Sequence, residues 1–246
     1  MCIARRKVRF REDLQFYMDG KCLATVNEFP HLGHIITSNL NDKSDIISKR
    51  NSLCGKINNV LCYFSKCVPL VKLKLLRYCS DFYGCVLWDL SDNAVDNVCV
   101  AWRKGLRRTL DLPACTHSRF VVPVCGLLPL RDELVRRCAS FIFTCLSSDN
   151  TVVKAISRNG VYFTRMYSPL GRNAQQCCDS YGLSLHSIHA VCSKLAWSLF
   201  YRNLELPELD KVHIIKELLC VKYGLVSLPL FDAAQIDFML ESLCTQ

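Results

Sequence analysis

The sequence predicts a mainly α-helical, bundle-like fold preceded by a short antiparallel β-hairpin element. Apolar residues recur at helical spacing through most of the chain after residue 40. An Asp19-Gly20 pair, a strong signal for a tight hairpin turn, follows a strand-like run. Half of the 246 residues are hydrophobic, enough to bury a core. These patterns divide the chain into a β-hairpin element (1–40), a basic helical region (41–113) and a helical C-terminal region (114–246).

The first forty residues are predicted to be β structure. Residues 14–18 form the first strand, and residues 21–26 return as the second strand after the Asp19-Gly20 turn. Residues 29–36 are predicted to be a third extended piece around a glycine.

Helices are predicted for most of the remaining chain. Their approximate spans are 43–64, from Pro69 towards Tyr83, from an Asp92 cap to Pro113, 131–146, 151–159, 186–203, 207–223 and 233–243. A turn-rich linker is predicted between them at 114–129.

Basic residues concentrate in the front part of the chain. Residues 1–111 carry 18 Lys and Arg against 11 Asp and Glu, whereas residues 205–246 are acidic. On the first predicted helix, Lys49 and Lys56 lie seven residues apart on one flank. The third predicted helix has an apolar face that includes Trp102, and its basic residues fall on the opposite face. These are Arg103, Lys104, Arg107 and Arg108. Such a helix suits phosphate contact, although an ordinary solvated face has the same pattern.

No catalytic arrangement stands out. The adjacent acidic pairs, Glu12-Asp13 and Asp132-Glu133, are interpreted as surface and helix-start residues. The chain contains neither a Gly-x-Ser-x-Gly elbow nor a glycine-rich phosphate loop. The prominent aromatics are interpreted as core rather than as base-stacking platforms. They are Trp88, Trp102, Tyr63 and Phe64.

One group of residues leaves zinc binding open. Cysteine and histidine cluster within sixteen residues, but adjacent cysteines rarely share one zinc ion. A helix with half-buried His and Cys is therefore favoured over a zinc site. The group comprises Cys177, Cys178, His186, His189 and Cys192.

The composition also bears on cell location and partners. The longest apolar stretch, residues 120–130, is too short to span a bilayer, and the N-terminus has no secretory pattern. The seventeen cysteines are expected to be reduced thiols in an intracellular protein, nuclear or cytoplasmic. The mean hydropathy of +0.15 is high, which favours a surface covered by a partner.

Several segments, in order, resemble the region after the catalytic palm in non-LTR retrotransposon reverse transcriptases of the LINE type (jockey/CR1-like). The first, residues 29–36, resembles the family's Phe-x-Tyr-Leu-Gly-x-x-Ile segment, with His31 in place of the usual aromatic residue. The others are the basic amphipathic helix from Lys43 to Phe64, Tyr83-Gly84 with Trp88, residues 102–108, Leu110 to Pro113, residues 125–131, and residues 171–182.

This resemblance implies a thumb and post-thumb fragment that lacks the fingers and the palm aspartates. It implies a primer-grip-like element at His31, Leu32 and Gly33, no catalysis and no cofactor, since Mg²⁺ would belong only to the intact polymerase. The expected partner is an RNA or an RNA–DNA duplex, and a separate palm and fingers polypeptide is a second possible partner.

Six basic residues are therefore predicted to contact phosphates without sequence preference. They are Lys49, Lys56, Arg103, Lys104, Arg107 and Arg108. The alternatives are a helical protein-interaction module and a relic with no selected role.

Overall fold

The computed structural model describes residues 15–24, 26–80, 82–164, 167–224, 237, 239 and 240. Over these residues the protein is mainly helical, with short antiparallel hairpins near its N-terminus, as the sequence predicts. The helices are α1 (Lys43–Tyr63), α2 (Pro69–Cys79), α3 (Asn93–Thr109), α4 (Ser118–Val124), α5 (Leu130–Leu146), α6 (Thr151–Arg158), α7 (Pro169–Tyr181), α8 (Ser193–Arg202) and α9 (Leu206–Lys222). Short 3₁₀ turns occupy Cys85–Leu87 and Leu185–Ala190, and a π turn occupies Asn159–Phe163. The helix predicted at 233–243 lies mostly outside the described residues.

Two hairpins stand where the sequence predicts one hairpin and one extended piece. Strands β1 (Tyr17–Met18) and β2 (Lys21–Cys22) pair through the predicted Asp19-Gly20 turn. Strands β3 (Glu28–His31) and β4 (His34–Thr37) pair through Leu32 and Gly33, so the single extended piece predicted at 29–36 is wrong. Both turns place two consecutive residues at positive φ, the backbone that matches the strand twist of a two-residue hairpin.

Pro30 is compatible with β3 because of its register. Pro30 faces Ile35, and Ser38 donates to the Asn27 carbonyl three residues earlier in the ladder. Hydrogen-bonded pairs alternate in an antiparallel ladder, so the Pro30–Ile35 pair is one whose amides face outward. The missing proline N–H therefore removes no bond between the strands. The outward N–H of Ile35 donates instead to the Asp45 carboxylate, 2.9 Å away.

The main core forms where α1, α3, α5 and α7 meet. Its fully buried side chains come from the apolar stripes of these helices and from the segment before α3. They include Ile46, Leu53 and Ile57 of α1 and Leu76 of α2. Trp88 comes from the segment before α3, and Val95, Val98, Trp102 and Leu106 come from α3 itself. Helix α5 contributes Leu134, Cys138 and Ile142, and α7 contributes Ala174 and Cys177. A smaller cluster joins the end of α3 and α4 to α9.

Several sequence predictions are wrong in detail. The predicted linker 114–129 contains the buried helix α4, and the predicted helix 186–203 is interrupted before α8. No helical pattern predicted α7. Tyr63 and Phe64 were assigned to an apolar face, but their exposed fractions are 79% and 40% because α1 ends there beyond the core. Trp88 and Trp102 are buried, as predicted.

The close crossing of α1 and α3 allows a matched test with two glycines. A Cβ at Gly105 of α3 would lie 2.4 Å from Ile57 Cδ1, whereas a Cβ at Gly55 of α1 would meet nothing within 4 Å. Gly55→Ala should therefore raise the free energy of unfolding by about 0.5–1 kcal/mol, the usual gain of Ala over Gly in a helix. The free energy of unfolding of Gly105→Ala should be lower than that of Gly55→Ala by about 1–3 kcal/mol, because the new methyl group forces Ile57 to move. Urea unfolding measures both, and equal effects would contradict a tight crossing.

Candidate nucleic-acid interface

The basic end of α3 is held rigidly on the core. Asp92 caps the helix, since its carboxylate accepts from the Ala94 N–H at 2.7 Å, as the sequence predicts. The opposite face packs into the core through side chains that include Trp102 and Leu106. The basic C-terminal part of α3 is therefore held in a fixed position on the surface of the folded core.

The four basic residues of α3 form two rows instead of one uniform face. Lys104 and Arg108, four residues apart, are exposed, whereas Arg103 and Arg107 are half-buried along the flank. Burial, followed by the nearby charge of Arg103, lowers the pKa of Arg107. The Arg107 Nε also donates to the Thr116 carbonyl at 3.0 Å. Arg107 thus helps to hold the segment before α4, and Lys104 and Arg108 are the more accessible cations.

Helix α1 continues this surface. The Arg108 Nη1 donates to Asn58 Oδ1 of α1 at 2.9 Å, which fixes the guanidinium between the two helices. Lys56 adjoins Ile57, the residue that contacts Gly105, so Lys56 lies beside the same crossing. The structure therefore places Lys56 on α1 next to the residue that packs on α3, and it joins Arg108 of α3 to Asn58 of α1.

Lys49 has a different setting. Its Nζ donates to the Gly33 carbonyl at 2.7 Å and lies 5.8 Å from the centre of the Tyr83 ring. Lys49 therefore ties the β3–β4 turn to α1. The turn itself is exposed, with Leu32 76% exposed and His31 also facing solvent. Lys49 and the primer-grip-like turn are thus in contact, although Gly33 and Lys49 lie sixteen residues apart in the sequence.

A buried carboxylate positions the hairpin on α1. Asp45, in the first turn of α1, is fully buried. One carboxylate oxygen accepts from the Ile35 N–H at 2.9 Å, and the other accepts from the Trp88 indole N–H at 2.7 Å. His34 Nδ1 lies 2.9 Å from that second oxygen, at ion-pair distance but without hydrogen-bond alignment. One side chain therefore joins β4, α1 and the segment before α3.

Neighbouring carboxylates extend this polar network. Asp42 accepts from the Asp89 N–H at 2.9 Å, and burial raises the pKa of Asp42. Burial also acts to raise the pKa of Asp89, but hydrogen bonds from Arg172 and Ser91 outweigh it and hold that pKa below its usual value. The Asp89–Arg172 ion pair thus links this network to α7.

Asn173 of α7 completes the connection. Its Nδ2 donates to the Trp88 carbonyl at 2.7 Å, and its Oδ1 accepts from the Leu90 N–H at 3.0 Å. Asn173 is 2% exposed, so water does not reach these backbone groups, and the Asn173 amide provides the hydrogen bonds that they need. No pattern in the sequence predicts that Asp45 or Asn173 is a structural residue. Trp88 is the one feature of the sequence that indicates such a partner, because the N–H of a buried indole needs a hydrogen-bond acceptor.

The predicted acidic pair of α5 has basic partners. Glu133 accepts from Arg136 at 2.7 and 2.9 Å and from Arg137 at 2.8 Å. Burial acts to raise the pKa of Glu133, and the two guanidiniums reverse this and lower it. Burial raises the pKa of Asp132. The pair Glu12-Asp13 lies outside the described residues.

The residues considered for zinc are not gathered into one site. Cys177 and Cys178 are buried in α7, and the Cys177 thiol donates to the Val135 carbonyl. His186, His189 and Cys192 are exposed near the second 3₁₀ turn. Within the part of the chain that the structure describes, no group of three or more His, Cys, Asp and Glu side chains could hold a metal ion.

No protein-family profile, curated protein or solved structure matches the chain. None of the helices among the described residues has the length and apolar character needed to cross a membrane.

Proposed function

We propose that this protein binds RNA or an RNA–DNA duplex through phosphate contacts, without sequence preference and without catalysis of its own. The proposal includes the relationship to LINE-type reverse transcriptases and assigns the chain to the thumb and post-thumb region. The observation that carries it is the rigid basic surface at the α1–α3 crossing. There, the exposed Lys104 and Arg108 lie on a helix whose other face is buried, and Arg108 bonds to Asn58 of α1, two residues from Lys56.

Two further contacts support the proposal. Segments that resemble the family in sequence meet in space, since Asn173 holds the backbone around Trp88. The β3–β4 turn, which carries the primer-grip-like residues, is tied to α1 by Lys49. The cations and the turn therefore belong to one connected framework, which a duplex could contact as a unit.

A protein-interaction module is the second candidate. Large apolar side chains are exposed on the hairpins, and exposed apolar residues that form a contiguous patch often mark partner surfaces. They include Phe16, Tyr17, Met18, Leu23, Phe29 and Leu32. The partner would be a separate palm and fingers polypeptide. Recovery of such a polypeptide with the protein, without nucleic acid, would favour this candidate.

Replacing four cations at the crossing with glutamine should remove most duplex affinity. The variant exchanges Lys56, Arg103, Lys104 and Arg108, and it leaves Lys49 and Arg107 in place because both bond to backbone carbonyls. Each phosphate contact adds about 0.7–0.9 to the slope of log affinity against log salt. The slope for a 20-base-pair RNA–DNA hybrid should therefore fall by about 3–4. Fluorescence anisotropy over a salt series measures it.

The control variant loses the same charge elsewhere. It exchanges Lys154, Arg158, Lys194 and Arg202, which lie on α6 and α8. Its slope and affinity should stay close to those of the unchanged protein. Equal losses in the two variants would show that binding follows net charge alone, and an unchanged slope in the first variant would refute the proposed surface.

A further inference from the structure

A cavity of about 690 Å³ opens beside the primer-grip-like turn. Its walls come from the β3–β4 hairpin, from residues 82–87 and from α5. Cavities of about 300–1,000 Å³ are the usual size of small-molecule sites. The six cations assigned above do not line it, so the cavity is distinct from the basic surface at the α1–α3 crossing.

Aromatic side chains form much of the cavity wall. Phe82, Tyr83 and Phe141 all line it. Phe82 is fixed from behind by an edge-to-face contact with the buried Trp102 ring, with centroids 5.9 Å apart. Tyr83 packs against Gly33, where a Cβ would approach its ring to 3.6 Å. The wall therefore offers ring faces that need little reordering before a planar ligand stacks on them.

Two arginines and two histidines line the cavity. Arg136 and Arg137 line it, and one carboxylate, Glu133, pairs with both and lies outside the lining. The imidazoles of His31 and His34 add polar groups at the opposite side, and no Asp or Glu among the described residues lines the cavity.

We propose that this cavity binds a nucleotide, with the base stacked on the aromatic wall and the phosphate near the Arg136–Arg137 side. Aromatic rings and guanidinium groups within one cavity match a planar base joined to an anion. The nucleotide could be a free mononucleotide or the end of a nucleic-acid strand. The inference rests on the proposed function for its choice of nucleic acid, because the neighbouring turn is the primer-grip-like element.

Calorimetry with deoxyadenosine monophosphate at low salt tests the site directly. Ser140 is exposed on α5 and lines the cavity, so Ser140→Trp should fill it without removing a wall contact. We expect saturable binding to the unchanged protein and at least a tenfold loss in Ser140→Trp. Ser198→Trp, on an exposed position of α8 outside the cavity, should bind as the unchanged protein does. Deoxyadenosine, which lacks the phosphate, should bind at least tenfold more weakly.

Two oligonucleotides distinguish the sources of the nucleotide. A linear 12-nucleotide DNA should compete with the mononucleotide if the cavity accepts a strand end, and a circular DNA of the same sequence should not. If neither competes, the ligand is the free nucleotide. Competition by the circle as strong as that by the linear strand would place the oligonucleotide elsewhere and would overturn the strand-end assignment.

Photo-crosslinking gives a second readout that needs no variant. The 8-azido derivative of the mononucleotide should label the tryptic peptides 78–103 and 138–154, which contain the aromatic wall and Ser140. Labelling confined to other peptides would overturn the proposal. So would the absence of saturable mononucleotide binding to a protein that still binds the hybrid duplex. The four-glutamine variant should keep mononucleotide binding, so failure of the basic surface and failure of the cavity give different results.

Discussion

Replacing Asp45 with alanine should lower the free energy of unfolding by about 3–5 kcal/mol. The substitution leaves two N–H donors without their acceptor, that of the half-buried Ile35 and that of the buried Trp88 indole. It also removes the anion 2.9 Å from His34 Nδ1. An unpaired buried donor costs about 1–3 kcal/mol, so the two donors account for most of the expected loss. Urea unfolding followed by circular dichroism measures it.

Asp96 provides the matched control for this substitution. Like Asp45, it lies in the first turn of a helix, α3, but it is exposed and pairs with Arg131 at 2.7 Å. Asp96→Ala should change the free energy of unfolding by no more than about 1 kcal/mol, because exposed ion pairs and helix-end charges contribute little. Similar losses in the two variants would mean that the buried network does not stabilise the fold.

The Asp45 network also bears on the proposed function. Asp45 bonds to β4, and Lys49, one helical turn later, bonds to the β3–β4 turn. Ser44 of α1 also donates to Glu28 of β3, so the hairpin is attached to α1 by one buried bond and by two surface bonds. The buried attachment sets where the primer-grip-like residues stand relative to the cations of the α1–α3 crossing. This placement could not come from the charge pattern of the sequence.

The sequence predicts best those helices that carry a clear apolar stripe. The bounds of α1, α5 and α9 agree with prediction to within one or two residues. In each, large aliphatic side chains recur at three and four residues and face the core. The Asp92 cap of α3 was predicted for the same reason, since a capping residue precedes a regular pattern.

Two helices lack such a stripe for physical reasons. In α4, five of the seven residues are buried, so no polar face alternates with the apolar one, and Pro123 also suggests a turn. In α7, the buried face is made of small or polar residues. They are Gly171, Asn173, Ala174, Cys177 and Cys178. A hydrophobicity pattern cannot detect a face of this composition, because its packing depends on close approach and hydrogen bonds.

The sequence predicts which basic residues belong to the candidate site, but it does not predict their positions and bonding partners in space. A basic amphipathic helix shows which cations share a face, yet it does not show which of them bond to neighbouring backbone. Lys49 and Arg107 were placed with the phosphate contacts, and both donate to carbonyls of other segments. The cavity beside the turn unites residues from three separate parts of the chain, so no local pattern contains it.

Asn173→Leu should lower the free energy of unfolding by about 2–4 kcal/mol, because the Trp88 carbonyl and the Leu90 N–H lose their buried partner. The same exchange at Asn97, exposed on α3, should change it by less than about 0.5 kcal/mol. Thermal and urea unfolding measure both, and comparable effects would contradict a structural role for Asn173.

The double variant of Asp45→Ala and Asn173→Leu then tests whether the two residues act as one network. Asp45 holds the Trp88 side chain and Asn173 holds the Trp88 backbone, so each fixes what the other binds. Their effects on unfolding should therefore be non-additive by about 0.5–3 kcal/mol, with the second substitution costing less than it does alone. Strict additivity would mean that α7 and α1 stabilise Trp88 independently. A coupled result would mean that α7 helps to position the β3–β4 turn, from the far side of the core.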